Sequence, residues 1–244
     1  KAVMQMIRIG RTQCVDGFIS SGYDLRDQAG QTPVFRREDG VVDAPFSEIT
    51  CFDVMPYGLE KAVKAIRQYT QKPIVYDHQK AGTHLPGGAT AFASICKTAG
   101  ADTVILFPQA GPTTEVAYIE AAQKAGLGVI VGGLMTHPNY VAREGGYVAD
   151  GAPLRIYDLA GQMNVADFVV PGNRPDDIRD VKAQLESQGI EPTFWAPGFL
   201  KKGQGGNVTE GAAAAGKNFK AIVGRGIKNA PDMRQAAIDL VGLL

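Results

Sequence analysis

The stretch ADTVILFPQAGPTTEVAYIEAAQKAGLGVIVGG, Ala101 to Gly133, decides the fold class of this chain. It opens on a short apolar run, Asp102–Phe107, with β-branched residues side by side, as in a strand buried on both faces. Thr113–Ala125 is then expected to be helical, and Gly126 stands just behind it, where a left-handed cap is wanted. Gly128–Gly132 repeats the apolar run. Strand, helix, glycine and strand in that order form a parallel α/β unit.

The same rhythm runs outward in both directions. Further strands are expected at Val3–Ile9, Glu48–Val54, Pro73–Asp77, Asp167–Val170, Pro192–Ala196 and Phe219–Val223. Helical stretches fall at Leu59–Thr70, Thr90–Ala99, Pro153–Met163, Pro175–Gln188, Thr209–Ala215 and Ala230–Leu243. Leu59, Val63, Ile66 and Tyr69 share one helical face, as do Ile178, Val181 and Leu185. Gly100 and Gly189 repeat the role of Gly126. Eight strands, each with room for a following helix, predict an α/β fold, a (β/α)8 TIM barrel, in a single domain over residues 1–244. An open doubly wound sheet is the competing arrangement. The segment at about 13–47, rich in Asp, Gly and Arg, is expected to be an irregular excursion in place of a plain first helix.

Composition narrows the function classes. The chain has 244 residues, 45% of them apolar, with 25 Lys plus Arg against 25 Asp plus Glu. A balanced charge gives no reason to expect nucleic acid as a partner. Cys14, Cys51 and Cys96 lie far apart and show neither metal spacing nor a disulfide framework, so a reducing cytoplasm is the expected compartment. No apolar run approaches membrane-spanning length, and the first residues lack a signal-peptide layout.

In such a barrel the ends of the strands and the loops after them build the active face. The polar groups there are Asp53, Asp77 to Lys80, Gln109, Met135 to His137, Asn173-Arg174, the loop Phe199–Asn207, and Arg225. Three constellations carry chemistry. In YDHQKAGTHLPGG, Tyr76 to Gly88, a carboxylate (Asp77) ends a strand and an ammonium (Lys80) follows it. Each keeps the other ionised, and the ammonium can give a proton to a carbanion. Standing alone, such a pair is also what a solvated surface loop contains. In APGFLKKGQGGNV, Ala196 to Val208, glycines allow backbone N–H groups to approach an anion ahead of a helix, and a flexible surface loop explains the same residues equally well. In VGRGI, Val223 to Ile227, Arg225 stands between Gly224 and Gly226 after the eighth strand, where these barrels frequently bind phosphate. The paired loops favour a phosphate cradle over a solvated turn.

At these residues the sequence resembles the orotidine 5′-phosphate decarboxylase superfamily. That family carries D-x-K-x-x-D-I-P after its third strand, a Met-Ser-His-Pro-like element after the fifth, Pro-Gly…Gln-Gly-Gly after the seventh and Val-Gly-Arg-Gly-Ile after the eighth. Here Asp77-His-Gln-Lys80-Ala-Gly-Thr-His84-Leu85-Pro86, Met135-Thr-His-Pro138, Pro197-Gly198…Gln204-Gly-Gly206 and Val223-Gly-Arg-Gly-Ile227 stand in that order. The likeness covers about residues 48 to 244. It implies decarboxylation of orotidine 5′-phosphate to uridine 5′-phosphate in pyrimidine synthesis, with no metal or organic cofactor, in a homodimer whose active sites lie at the interface. By match, Lys80 is the proton donor to C6 of the pyrimidine and Asp77 its partner. Thr136 touches the base edge, Gln204 bridges phosphate and base, and Gly205, Gly206, Gly224, Arg225 and Gly226 hold the phosphate.

The departures fall on the charged half of the site. Asp77 and Lys80 are one residue further apart than the family's D-x-K. The Asp expected across the interface is His84, the Thr expected after it is Gly88, and Thr90 stands near. The Lys expected at the end of the second strand is replaced by Phe52-Asp53, and no Asp closes the first strand at Ile7-Arg-Ile-Gly10. Asp53 can restore a carboxylate beside Lys80. His84 is either a loop histidine that binds nothing or, in a neighbouring site, a donor or second cation. Two alternatives stay open: an Mg-dependent lyase or isomerase of the same superfamily acting on another phosphorylated sugar, and a nucleotide-binding relative without catalysis.

Overall fold

A computed structural model describes residues 5–9, 17–21, 48–52, 58–68, 70–78, 81–199, 208–228 and 230–242 of the chain. Its strands are β1 (Gln5–Ile9), β2 (Gly17–Ser21), β3 (Glu48–Phe52), β4 (Ile74–Asp77), β5 (Thr103–Leu106), β6 (Gly128–Gly132), β7 (Asp167–Val169), β8 (Thr193–Pro197) and β9 (Phe219–Val223). The helices are α1 (Leu59–Arg67), α2 (Ala89–Ala99), α3 (Pro112–Lys124), α4 (Ala152–Gln162), α5 (Pro175–Ser187), α6 (Val208–Ala215), α7 (Arg225–Lys228) and α8 (Met233–Gly242). The expected strands and helices from residue 48 onward are present, most within one or two residues of their predicted ends. Gly100, Gly126 and Gly189 all adopt positive φ, at 93°, 68° and 78°, behind α2, α3 and α5.

From β2 to β9 each strand pairs in parallel with the next. The hydrogen-bonded order follows the chain order throughout that run. A doubly wound sheet would reverse its order at a switch point. The unreversed winding is that of a (β/α)8 barrel, and the fold is α/β.

The first strand requires a correction. Gln5–Ile9 is a strand, as expected, but it runs antiparallel to β9, with Gln5 opposite Val223 and Ile9 opposite Phe219. The first parallel strand is β2, which lies inside the stretch at 13–47 expected to be irregular. An apolar run carries no information about the direction of its partner. Gly17-Phe-Ile-Ser-Ser21 also reads weakly as a strand, since glycine is a poor strand former and serine a neutral one.

Alternate residues of the central strands serve two apolar layers. Ile74, Tyr76, Val104, Leu106, Val131, Phe168 and Phe194 join the layer under the helices, where Val63, Ile66, Ile119, Tyr157, Ile178 and Leu185 meet them. Val75, Ile105, Phe107, Ile130, Val169, Trp195 and Ile222 form a separate cluster filling the barrel interior, with Met135 against it. Both faces are apolar, so the strands read as unbroken apolar runs. Truncating the fully covered Leu185 to Ala should cost roughly 2–5 kcal/mol.

The interior is polar toward the N-terminal ends of its strands. Trp195, 2% exposed, donates from Nε1 to Asp167 Oδ1 at 2.7 Å. Lys220 is its register partner on β9 and sets Nζ 4.0 Å from the indole centroid. The indole thus meets a carboxylate at its edge and a cation on its face, an arrangement that satisfies both groups inside the barrel.

Candidate active site

The rim at the C-terminal ends of the strands begins with Asp77. Val75 faces the interior cluster, so Asp77, two residues further along β4, falls on the same face at the strand end and is only 8% exposed. His78 takes the opposite side. Its Nδ1 lies 2.9 Å from the Tyr76 hydroxyl, and its ring packs near Tyr76 and Phe92. The chain beyond is stitched to the loop after β5: Phe107 N–H donates to the Ala81 carbonyl at 2.7 Å, and Gly82, with φ 86°, lies flat against Pro108. His84 is exposed, and its backbone carbonyl accepts from Thr114 Oγ1 at 3.3 Å. Asp53, Lys80, Gln204, Gly205 and Gly206 lie outside the described residues, as does the Arg225 side chain.

The loop after β6 carries Thr136, which is half-buried. Its root is fixed by two tyrosines. Tyr157 Oη accepts from Leu134 N–H at 3.0 Å and donates to the Val169 carbonyl at 2.7 Å. Tyr140 Oη donates to the Gly133 carbonyl at 3.1 Å and accepts from Gln109 Nε2 at 2.8 Å. Burial pushes the Tyr140 phenol up, and the Gln109 hydrogen bond works against that rise. Asn173, after β7, donates from Nδ2 to the Thr136 carbonyl at 3.0 Å. Gly198, after β8, has φ 110°, and a Cβ there would lie 3.0 Å from Thr136 Cγ2 and 3.2 Å from Asn173 Oδ1. Residues from three successive strand ends thus meet at Thr136.

Phe199 anchors the start of the glycine-rich loop. It is buried, stands edge-on to Phe219 at 5.9 Å, and occupies a socket that a side chain at Gly172 or Gly211 would fill. On β9 the strand yields at Gly224 to α7, which begins at Arg225, and Ile227 N–H bonds the Gly224 carbonyl at 3.1 Å. Gly226 lies in the first turn of that helix and Ile227 is fully buried beneath it. Among the described residues, no three His, Cys, Asp or Glu side chains gather so as to hold a metal ion, and no helix is long and apolar enough to cross a membrane.

Glu115 was not anticipated. In sequence it is an acid in the first turn of a helix, the place where a carboxylate usually faces solvent and the helix dipole. In the structure it is 2% exposed, its Oε1 has no hydrogen-bond partner among the described residues, and burial pushes the carboxyl up to about 8. Asn173 and Arg174 stood in the sequence only as polar residues behind a strand.

Comparison with known proteins bears on the family of the chain. An orotidine 5′-phosphate decarboxylase of Pyrococcus abyssi (strain GE5 / Orsay) is 28% identical over 180 residues, covering 73% of this chain and 76% of the relative. One of Methanosarcina mazei is 30% identical over 142 residues, or 58% of this chain and 59% of the relative. The crystal structure of orotidine 5′-phosphate decarboxylase from Pyrococcus horikoshii OT3 superposes with a TM-score of 0.64 at 25% identity, over 81% of this chain and 86% of that one. The Methanocaldococcus jannaschii enzyme, complexed with the inhibitor BMP, gives 0.69 at 23% identity over 82% and 86%, which speaks for the fold alone. The family model described as Orotidine 5′-phosphate decarboxylase / HUMPS family matches residues 85–240, well over half of the sequence, and the chain belongs to that family.

Proposed function

We propose that this protein is a carboxy-lyase that converts orotidine 5′-phosphate to uridine 5′-phosphate in pyrimidine synthesis. One observation carries the reading best: Asp77, Thr136, Gly198 and Gly224 all stand at, or in the loops just after, the C-terminal ends of parallel strands of one barrel. That is the rim where barrels of this kind place their chemistry.

In the reaction the bond from C6 of the pyrimidine to the carboxylate breaks, and its electron pair remains on C6. Lys80 delivers a proton to that carbon as CO2 departs. Asp77, buried at the strand end, keeps the ammonium charged and in place and makes the substrate carboxylate unwelcome beside it. Regular strand alternation would set Gln79, not Lys80, on the Asp77 face. The extra residue in the Asp77–Lys80 spacing therefore needs the chain to leave strand geometry at once, and β4 ends at Asp77. Asp53 supplies a second carboxylate, and His84, exposed on its loop, reaches the neighbouring site in a cytoplasmic homodimer.

Gly224, Arg225 and Gly226, with Gln204, Gly205 and Gly206, hold the phosphate, while Thr136 and Gln204 meet the base. Phosphate contacts far from C6 supply binding energy that orients the reacting carbon. No cofactor takes part.

Loss of absorbance of orotidine 5′-phosphate on adding the purified protein, with and without EDTA and beside Lys80→Ala, tests the reading. Turnover that survives EDTA and disappears in the variant supports it. Turnover that EDTA abolishes points to the Mg-dependent branch of the superfamily, and no turnover by a folded protein rejects the assignment.

A further inference from the structure

The loop after β6 is held by a second element that its own sequence does not reveal. Behind β7 the chain makes a tight turn, with Gly172 N–H bonded to the Pro197 carbonyl at 2.8 Å and Arg174 N–H to the Pro171 carbonyl at 3.0 Å. From this rigid base two neighbouring side chains reach two neighbouring carbonyls. Asn173 Nδ2 donates to Thr136 O at 3.0 Å, and Arg174 Nη1 points at Met135 O at the longer distance of 3.4 Å. Arg174 is itself braced: Nε meets Asp177 Oδ2 at 3.0 Å in the first turn of α5, and Nη2 pairs with Glu144. Glu144 in turn accepts from Tyr140 N–H at 3.4 Å, so the same arginine ties the start of the loop to its far end. Gly198 closes the third side against the Thr136 methyl group.

We propose that Asn173 is a positioning residue: through the Thr136 carbonyl it sets where the Thr136 hydroxyl stands, with Arg174 bracing the loop behind it. The inference rests on the reading of Thr136 as the residue that meets the base. An amide is required at 173 because it supplies the N–H. Asp at that position is nearly isosteric but turns an acceptor toward a carbonyl, which repels it. A displacement of about 1 Å at a substrate-contacting group can cost on the order of 100-fold in rate.

The test is a double-mutant cycle on Asn173→Asp, Asn173→Ala and Thr136→Ala, read in kcat/KM for orotidine 5′-phosphate, together with amide hydrogen exchange of the wild-type and variant chains. Asn173→Asp should lower kcat/KM by about 10- to 100-fold in the wild-type background. It should cost less than about threefold once Thr136 is already Ala, since its effect passes through that residue. Amides of Met135, Thr136, His137 and Asn139 should exchange at least about tenfold faster in both Asn173 variants, with those of β5 unchanged. A loss that is equally large in the Thr136→Ala background, or exchange unaltered in both variants, overturns the proposal. The exchange arm needs no substrate. Absence of turnover in the wild type would therefore count against the decarboxylase reading alone, and exchange would still decide whether Asn173 holds the loop.

Discussion

The two ends of the barrel interior treat charge in opposite ways. At the floor, Asp167, Trp195 and Lys220 satisfy one another, carboxylate to indole edge and cation to indole face, in a packed environment. At the rim, Asp77 ends its strand buried, with no packed indole to hold it, at the strand ends where barrels of this kind carry their chemistry. Both ends take charge out of water. One arranges it so that nothing need move, and the other keeps it directed at whatever enters. Parallel barrels separate stability and chemistry in this way because the loops that vary all lie on one face.

The largest effect that can break the contrast comes from the rim. Asp77→Asn should reduce kcat/KM for orotidine 5′-phosphate by about 10²- to 10⁴-fold while leaving the thermal midpoint within a few degrees, as steady-state kinetics and calorimetry would show. A large drop in the midpoint would make Asp77 a structural carboxylate like Asp167. At the floor the outcome should invert. Trp195→Ala should cost roughly 3–5 kcal/mol in urea unfolding, with turnover per folded molecule kept within a few-fold.

Glu115 sharpens the comparison, since it lies at the rim end of a helix yet behaves as a buried burden. Its carboxyl is pushed up to about 8 by burial, against an ordinary value of 4.5. Between those values the folded chain retains a proton that the unfolded chain has lost. Stability therefore falls as pH rises through that window and levels off above it. Glu115→Gln should melt with the wild type near pH 5 and several degrees above it at pH 9, in paired melts across that range. The smallest effect concerns Cys96, whose thiol burial pushes up to about 12. Alkylation mapped by mass spectrometry should modify Cys96 only after unfolding.

Much of the barrel could be read from residue 48 onward because strands buried on both faces and helices closed by glycine leave strong local patterns. Gly128–Gly132 and Phe219–Val223 begin and end where the apolar runs do. The opening strands escaped for a different reason: direction is set by a distant partner, and nothing within Gln5–Ile9 distinguishes a parallel edge from an antiparallel one. At the rim, the position of Asp77 was legible because the apolar run Pro73–Tyr76 stops at it, and β4 ends there. Glu115 was not, since its burial depends on what packs over it. The Asn173 contact escaped too, because a side chain's aim at a carbonyl 37 positions away leaves no trace in spacing.

The antiparallel seat of β1 has a consequence for self-association. While β1 covers it, β9 shows its outer row of N–H and C=O groups to a strand of its own chain. A proteolytic cut between Ile9 and Gly17 that released β1 would leave that row open, as a template on which another copy can lay a strand. By that pairing β1 keeps the edge of the strand that leads into Val223-Gly-Arg-Gly-Ile227 from taking a strand of another copy.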